Sequence, residues 1–263
     1  MAERTLSASA CGFANAAVPQ VRDGYNENGA MPVWLLAVDT SSKQASVALM
    51  RDAELVRELA PPSEEQHSVQ LFRLVEQLLA DAGLTLRDVD AYGVANGPGA
   101  FTALRIGLAV VKGLAEMHRK PIVPVGVLQA VCEGASASGL LLPIVDAYRE
   151  QIFGGLYEKA GSESHPRSAE RVLTLEEFLA SVAADGIRPD ACTLVGPQLE
   201  RWAAQFDASG FRAARRENVS AALAGAVARC ALRKFGRGET VDALHLEANY
   251  VRRSDAELLW KPK

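Results

Sequence analysis

From position 33 onward, short apolar runs alternate with amphipathic stretches. Val33-Trp34-Leu35-Leu36-Ala37-Val38 is continuously apolar and stops at Asp39, the pattern of a strand covered on both faces. A polar turn (Asp39 to Gln44) leads into a strand over Ala45–Met50, and Glu54–Leu59 alternates as a third. Three strands in succession predict an antiparallel meander. Pro61-Pro62 ends it, and Ser63-Glu64-Glu65-Gln66 has the form of a capping box with acidic residues in the first turn. Val69, Phe72, Val75, Leu79 and Leu71, Leu74, Leu78 then recur at helical spacing up to Gly83. Together these stripes make a face wider than packing on one sheet demands.

Tyr92-Gly93-Val94-Ala95 predicts the next strand, and Phe101 to Met117 the second helix. Between them lies Asn96-Gly97-Pro98-Gly99-Ala100, where Gly97 and Gly99 permit close backbone approach and Pro98 fixes one φ. A helix start with free N–H groups behind such a turn is either an anion cradle or a docking surface. Within the helix, Ala103 and Gly107 are four residues apart, a spacing that lets another backbone approach. Ile122–Val125 and Leu128–Glu133 add a strand and a helix, giving a mixed α/β fold. From about Leu140 a second half predicts strands over 141–146 and 151–157, a polar loop over 160–168, and helices over 175–183, 199–206 and 220–235, with a strand at Thr193–Gly196. Strand, polar turn with an aspartate (Asp39 or Asp146), strand occurs once in each half, a trace of duplication. The division read here is a disordered leader over 1–31, an N-terminal lobe over 32–138 and a C-terminal lobe over 139–263. Met31 is an alternative start.

Composition narrows the function. The chain has 263 residues, 49% hydrophobic and 23% charged, with a net charge of −4. Affinity built on neutralising phosphates normally needs a basic surplus, so nucleic acid is not the expected direct partner. The Arg212, Arg215 and Arg216 cluster is read as a solvated loop. No apolar run is long enough to span a bilayer and no signal peptide is evident, so a cytoplasmic protein is expected. Cys11, Cys132, Cys192 and Cys230 are widely separated, which predicts free thiols. His67, His118, His165 and His245 fall in no metal-binding spacing, and no metal site is expected. Asp39-Thr40-Ser41-Ser42 has neither the glycines nor the lysine of a P-loop. It reads as a phosphate-facing hairpin or an ordinary Asx turn. No Ser/His/Asp constellation can be assembled.

Asp39-Thr40-Ser41, Ser46-Val47-Ala48-Leu49, Glu65-Gln66-His67-Ser68 and above all Gly97-Pro98-Gly99-Ala100-Phe101-Thr102-Ala103-Leu104-Arg105-Ile106-Gly107 resemble the TsaB (YeaZ) family. That family is the dimerisation subunit of the bacterial complex that makes threonylcarbamoyladenosine on tRNA. Asp146-Ala147-Tyr148-Arg149 and Tyr250-Val251-Arg252-Arg253 agree more loosely. The resemblance implies an actin-like fold of two related lobes and a non-catalytic scaffold for the TsaD subunit, with TsaE joining the assembly. It implies a homodimer when TsaD is absent, contact with tRNA only through the complex, and no cofactor of its own, ATP or ADP belonging to the complex interface. The expected partner contacts are Leu71, Leu74, Val75 and Leu78 on the first long helix and Leu104, Gly107 and Val111 on the second. Gly97, Pro98 and Gly99 form the structural turn, and Asp39, Thr40 and Ser41 a relic phosphate hairpin. Ala100 and Ala103 depart from the family's usual Ser and Gly, which weakens an anion-binding turn more than a docking helix. The rivals are an ATP-using phosphotransferase of the same fold, a metallopeptidase-like protein and a tRNA-binding module.

Overall fold

The computed structural model describes residues 31–60 and 67–252. Residues 1–30 of the expected leader, the Ser63–Gln66 capping box, Cys11 and Arg253 lie outside the described residues. The first sheet contains β1 (Trp34–Asp39), β2 (Ser46–Arg51), β3 (Glu54–Leu59), β4 (Ala91–Gly97) and β5 (Ile122–Gly126), in the order β3-β2-β1-β4-β5. The meander is antiparallel, whereas β4 and β5 join in parallel. Helices α1 (His67–Asp81), α2 (Phe101–His118) and α3 (Val127–Gly134) intervene.

The unbroken apolar run of β1 has a direct cause. Trp34, Leu36 and Val38 face a core closed by α1 and α2, while Leu35 and Ala37 face a second core on the other side. Alternate side chains thus enter different cores, so neither parity can be polar.

The second sheet contains β6 (Gly139–Asp146), β7 (Gln151–Gly154), β8 (Tyr157–Ala160), β9 (Glu163–Pro166), β10 (Arg171–Thr174), β11 (Cys192–Gly196) and β12 (Arg215–Asn218). Its path β10-β7-β6-β11-β12 repeats the first sheet's, with three antiparallel strands followed by two parallel ones. The duplication faint in the sequence is therefore explicit in the topology, and the fold is the two-lobed, actin-like α/β architecture. Helices α4 (Leu175–Ala184) and α5 (Ala203–Ala208) belong to this lobe, whose core holds Phe178, Trp202 and Phe206.

Some local expectations change. The predicted strand 151–157 divides at Gly154-Gly155, because β6 is long enough to pair with β7 at its end and with β8 at its start. The predicted loop 160–168 contains the β8–β9 hairpin. Arg215 and Arg216 lie on β12 instead of in a loop, with Arg216 bonded to Asp207 and stacked over Phe206.

The final helix, α6 (Ala224–Gly236), returns to pack on β1, β2 and β4 of the first lobe. Its alanines suit that seat: a Cβ on Gly93 of β4 would lie 2.8 Å from the Ala231 Cβ. Beyond it, Val241 bridges to Ile122 and Leu246 is buried in the α1–α2 core. The C-terminal part of the sequence therefore completes the first lobe, which differs from a contiguous division at 139.

Candidate functional site: a closed hairpin and an exposed helix face

The turn after β1 is tied by local bonds and then covered by α2. The Ser41 N–H donates to Asp39 Oδ1 at 2.9 Å, the geometry of an Asx turn. The Thr40 hydroxyl donates to the Ala103 carbonyl inside α2 at 2.7 Å, and the Ala100 N–H donates to the Ser41 carbonyl at 3.2 Å. Two glycines make this approach feasible. A Cβ at Gly99 would stand 2.7 Å from the Ser41 carbonyl oxygen, and one at Gly107 would overlap the Thr40 hydroxyl. Gly97, at φ +122°, sits against the Asn249 carbonyl, and the Asn249 N–H donates to Asn96 at 2.7 Å. The Gly97–Pro98 peptide is cis.

The structure thus brings Thr40 and Ser41 against Gly99 and Gly107, with Asp39 bonded to Ser41, while Gly97 packs on Asn249. Helix α2 occupies the side of the hairpin where an anion would approach the Thr40 hydroxyl. Asp39 is fully buried, and its Oδ2 has no partner among the described residues. Burial pushes its carboxyl above the usual range, against the lowering effect of its bonds to Ser41. A buried carboxyl with a raised pKa beside a filled hairpin does not make a phosphate site.

The expected partner contacts require correction as solvent-facing positions. Leu71, Leu74, Val75, Leu78, Leu104 and Val111 are buried in the chain itself, and Gly107 is pressed against Thr40. The Leu71/Leu74/Leu78 stripe, with Val75 and Leu79, instead packs on β2 and β3 and shares its core with the β1 side chains. The apolar side chains left exposed are different ones: Val69 and Phe72 on α1, 49% and 57% exposed, and Phe101 and Met117 on α2, 37% and 74% exposed.

Beside the start of α2 the looser family segments converge on a cleft of 520 Å³. It is lined by Pro98–Thr102, by Ala147–Arg149 from the β6–β7 turn and by Asn249–Arg252. Arg105 stacks on Phe101 at 3.8 Å and its Nε donates to the Tyr250 hydroxyl at 3.0 Å. Arg252 donates to the Ala147 carbonyl at 2.9 Å. Tyr148, Arg149 and Glu150 all have positive φ, a run that turns the β6–β7 connection sharply. Sequence reasoning missed Asn249 and Glu58; the latter accepts from the Gly225 N–H at 2.8 Å and caps α6. No local motif marks either, since these partners are 79 or more residues away. Among the described residues no group of three or more His, Cys, Asp and Glu is placed to hold a metal ion, and no helix is long and apolar enough to cross a membrane.

Comparison with known proteins agrees with this geometry. Residues 61–240 match the family model of TsaD, tRNA N6-adenosine threonylcarbamoyltransferase. The chain is 28% identical over 236 residues to the Escherichia coli tRNA threonylcarbamoyladenosine biosynthesis protein TsaB, covering 86% of this chain and 96% of that protein. The Bacillus subtilis protein of the same name is 36% identical over 125 residues, a match taking in 47% of this chain and about half (55%) of that relative. Among solved structures, Pseudomonas aeruginosa YeaZ superposes with a TM-score of 0.67 at 27% identity, covering 83% of this chain and 99% of that one. The duplicated sheets, the Gly97–Gly107 string seated on the hairpin and these matches together place the chain in the TsaD-like family, on its TsaB (YeaZ) branch.

Proposed function

We propose that this protein takes part in making threonylcarbamoyladenosine in tRNA as a scaffold subunit. In this reading it docks on TsaD in the cytoplasm and supports ATP-dependent threonylcarbamoyl transfer to adenosine 37 without catalysing it. The observation that carries the proposal is the closed hairpin. In a phosphotransferase the turn after the first strand must be open to a phosphate, whereas here Thr40 is bonded to Ala103 and Gly107 fills the approach. The relic is therefore a packing device that fixes the angle of α2 against the sheet.

With α2 so fixed, Val69, Phe72 and Met117 are presented on the outer surfaces of α1 and α2. Large apolar side chains at this exposure are suited to burial by a partner. In this reading TsaD covers them, a second copy covers them when TsaD is missing, TsaE joins the assembled pair, and tRNA and ATP or ADP are met only in the complex.

The test mixes the full chain with TsaD and measures mass by light scattering. Phe72→Arg and Met117→Arg, both surface changes with stability effects within about 0.5 kcal/mol, are expected to abolish the complex while leaving the melting curve unchanged. If both variants still assemble at wild-type affinity, these faces are not the docking surface. ATP turnover by the isolated chain would instead revive the phosphotransferase.

A further inference from the structure

Apart from the hairpin and the cleft beside α2, the chain has a larger, open cavity of 660 Å³ where the two lobes meet. It opens beyond the carboxyl ends of the parallel strands β4 and β5, at Asn96 and Gly126. The β8–β9 hairpin, the connection to β10 and the second half of α6 close it. Crevices outside the carboxyl ends of parallel strands are where open α/β sheets accept ligands, and this volume is in the range of small-molecule sites.

The charges of the lining are unevenly satisfied. Arg237 is paired with both Glu163 and Glu239, and Arg233 with the buried Glu133. Two groups differ. Lys234 donates to the Pro124 carbonyl at 3.2 Å, and among the described residues no carboxylate lies within ion-pair distance of it. An ammonium has three donors, so two remain. Glu170 is held by neutral donors only, the Tyr157 hydroxyl at 2.8 Å and the Asn249 amide at 2.7 Å, and among the described residues no cation is paired with it. Lys234 is anchored beside Pro124 and Glu170 lies beside Gly126, whose Cβ would be 3.9 Å from Glu170 Oε1. Both anchors belong to the end of β5, and no ion pair joins Lys234 to Glu170. A third group completes the set. Ser164 is 3% exposed, lines the same cavity, and its hydroxyl has no partner among the described residues. Lys234 and Glu170 are half-buried, with Glu239 the carboxylate that acts on Lys234 at longer range, and the buried Ser164 hydroxyl beside them is costly unless something satisfies it.

We propose that this cavity binds a small zwitterion of the α-amino acid class, with its carboxylate on Lys234, its ammonium on Glu170 and a polar side-chain atom on Ser164. A simple anion would leave Glu170 facing it, and a simple cation would face Lys234. Only a molecule carrying both charges answers both walls. The site is independent of the α1–α2 docking face, so either can fail without the other.

The test uses the full chain and L-serine as the probe, followed by calorimetric titration, with N-acetyl-L-serine, L-serine methyl ester and glycerol as controls. L-serine is expected to bind saturably. Blocking either charged end is expected to weaken binding at least tenfold, and glycerol to give no saturable heat. Lys234→Met keeps the aliphatic stem and is expected to lower affinity at least tenfold with an unchanged melting temperature. Ser164→Ala is expected to weaken L-serine several-fold while leaving the response to glycine unchanged. Glu170→Gln serves as a second charge test if it melts as wild type does; if it does not, Lys234→Met and the blocked ligands decide alone. The proposal is overturned if L-serine gives no saturable binding up to about 10 mM. It is equally overturned if the blocked ligands bind as well as L-serine, or if Lys234→Met leaves its affinity unchanged.

Discussion

The contact between Thr40 and Gly107 offers a quantitative test of the closed hairpin. In Gly107→Ala the new methyl would overlap the Thr40 hydroxyl and come within 3.4 Å of the Thr40 Cγ2 and Cβ. Thr40 cannot swing away freely, because its hydroxyl is bonded to the Ala103 carbonyl at 2.7 Å in a buried position. Overpacking of this kind costs about 1–3 kcal/mol, and losing the hydrogen bond about 1 kcal/mol. The helix propensity gained on replacing glycine by alanine returns about 1 kcal/mol. Gly107→Ala alone should therefore destabilise by about 1–3 kcal/mol. Thr40→Ala alone loses the bond and a methyl, about 2 kcal/mol. In the double variant the introduced methyl enters the space vacated by Thr40, and the helix keeps its propensity gain. The pair should then be about 1 kcal/mol more stable than Thr40→Ala by itself, a coupling of about 2–4 kcal/mol. Urea titrations followed by tryptophan fluorescence measure this, with Trp34 on β1 as one reporter and the midpoints compared at constant m. Additive effects, with coupling under about 0.5 kcal/mol, would refute direct contact between the hairpin and α2.

Leu78→Ala should cost about 2–5 kcal/mol in urea midpoint, in contrast to the silent Phe72→Arg, because Leu78 is buried and Phe72 is not; equal effects of the two would show that α1 is turned the other way. The raised carboxyl of Asp39 sets the sign of a pH effect: its folded pKa exceeds the ordinary 3.8, so its contribution to stability is fully present below 3.8 and is lost as pH rises through the folded value. Asp39→Asn should flatten that part of the stability–pH curve, and parallel curves for wild type and variant would contradict the burial argument. Lys159→Met should lower stability by about 2–3 kcal/mol in a thermal or urea melt, since the buried ammonium donates to the Cys132 carbonyl at 3.0 Å and also to the Glu133 and Ala135 carbonyls at the end of α3. A melt unchanged within about 0.5 kcal/mol would mean that water satisfies those carbonyls as well as the lysine does.

Much of the fold was legible because it is locally encoded. The period-two and continuous apolar runs placed β1, β2, β3, β4 and β5, and the helical stripes placed α1, α2, α4 and α6, all to within a few residues. β12 was not legible, because an edge strand reading Arg-Arg-Glu-Asn carries no apolar period and is stabilised by parallel pairing with β11. The β8–β9 hairpin was hidden for a related reason: its alternation is short and polar on the outside, and its position depends on the far end of β6.

The candidate site divides in the same way. The glycine-proline string and the Asp-Thr-Ser turn announced themselves by composition, because only small or φ-restricted residues permit such approach. Which side of α1 and α2 points outward could not be read, since both helices are apolar over more than half their circumference and periodicity gives the width of a face without naming its partner. That choice was made by the order β3-β2-β1-β4-β5 and by the seat of Thr40 on Gly107. Nor could the sequence bring Lys234 and Glu170 to the two sides of one strand end, or return α6 to a sheet formed almost two hundred residues earlier. Nearest-neighbour patterning determines what each segment is. Burial of both faces of β1, which no single segment can supply, determined where each one went.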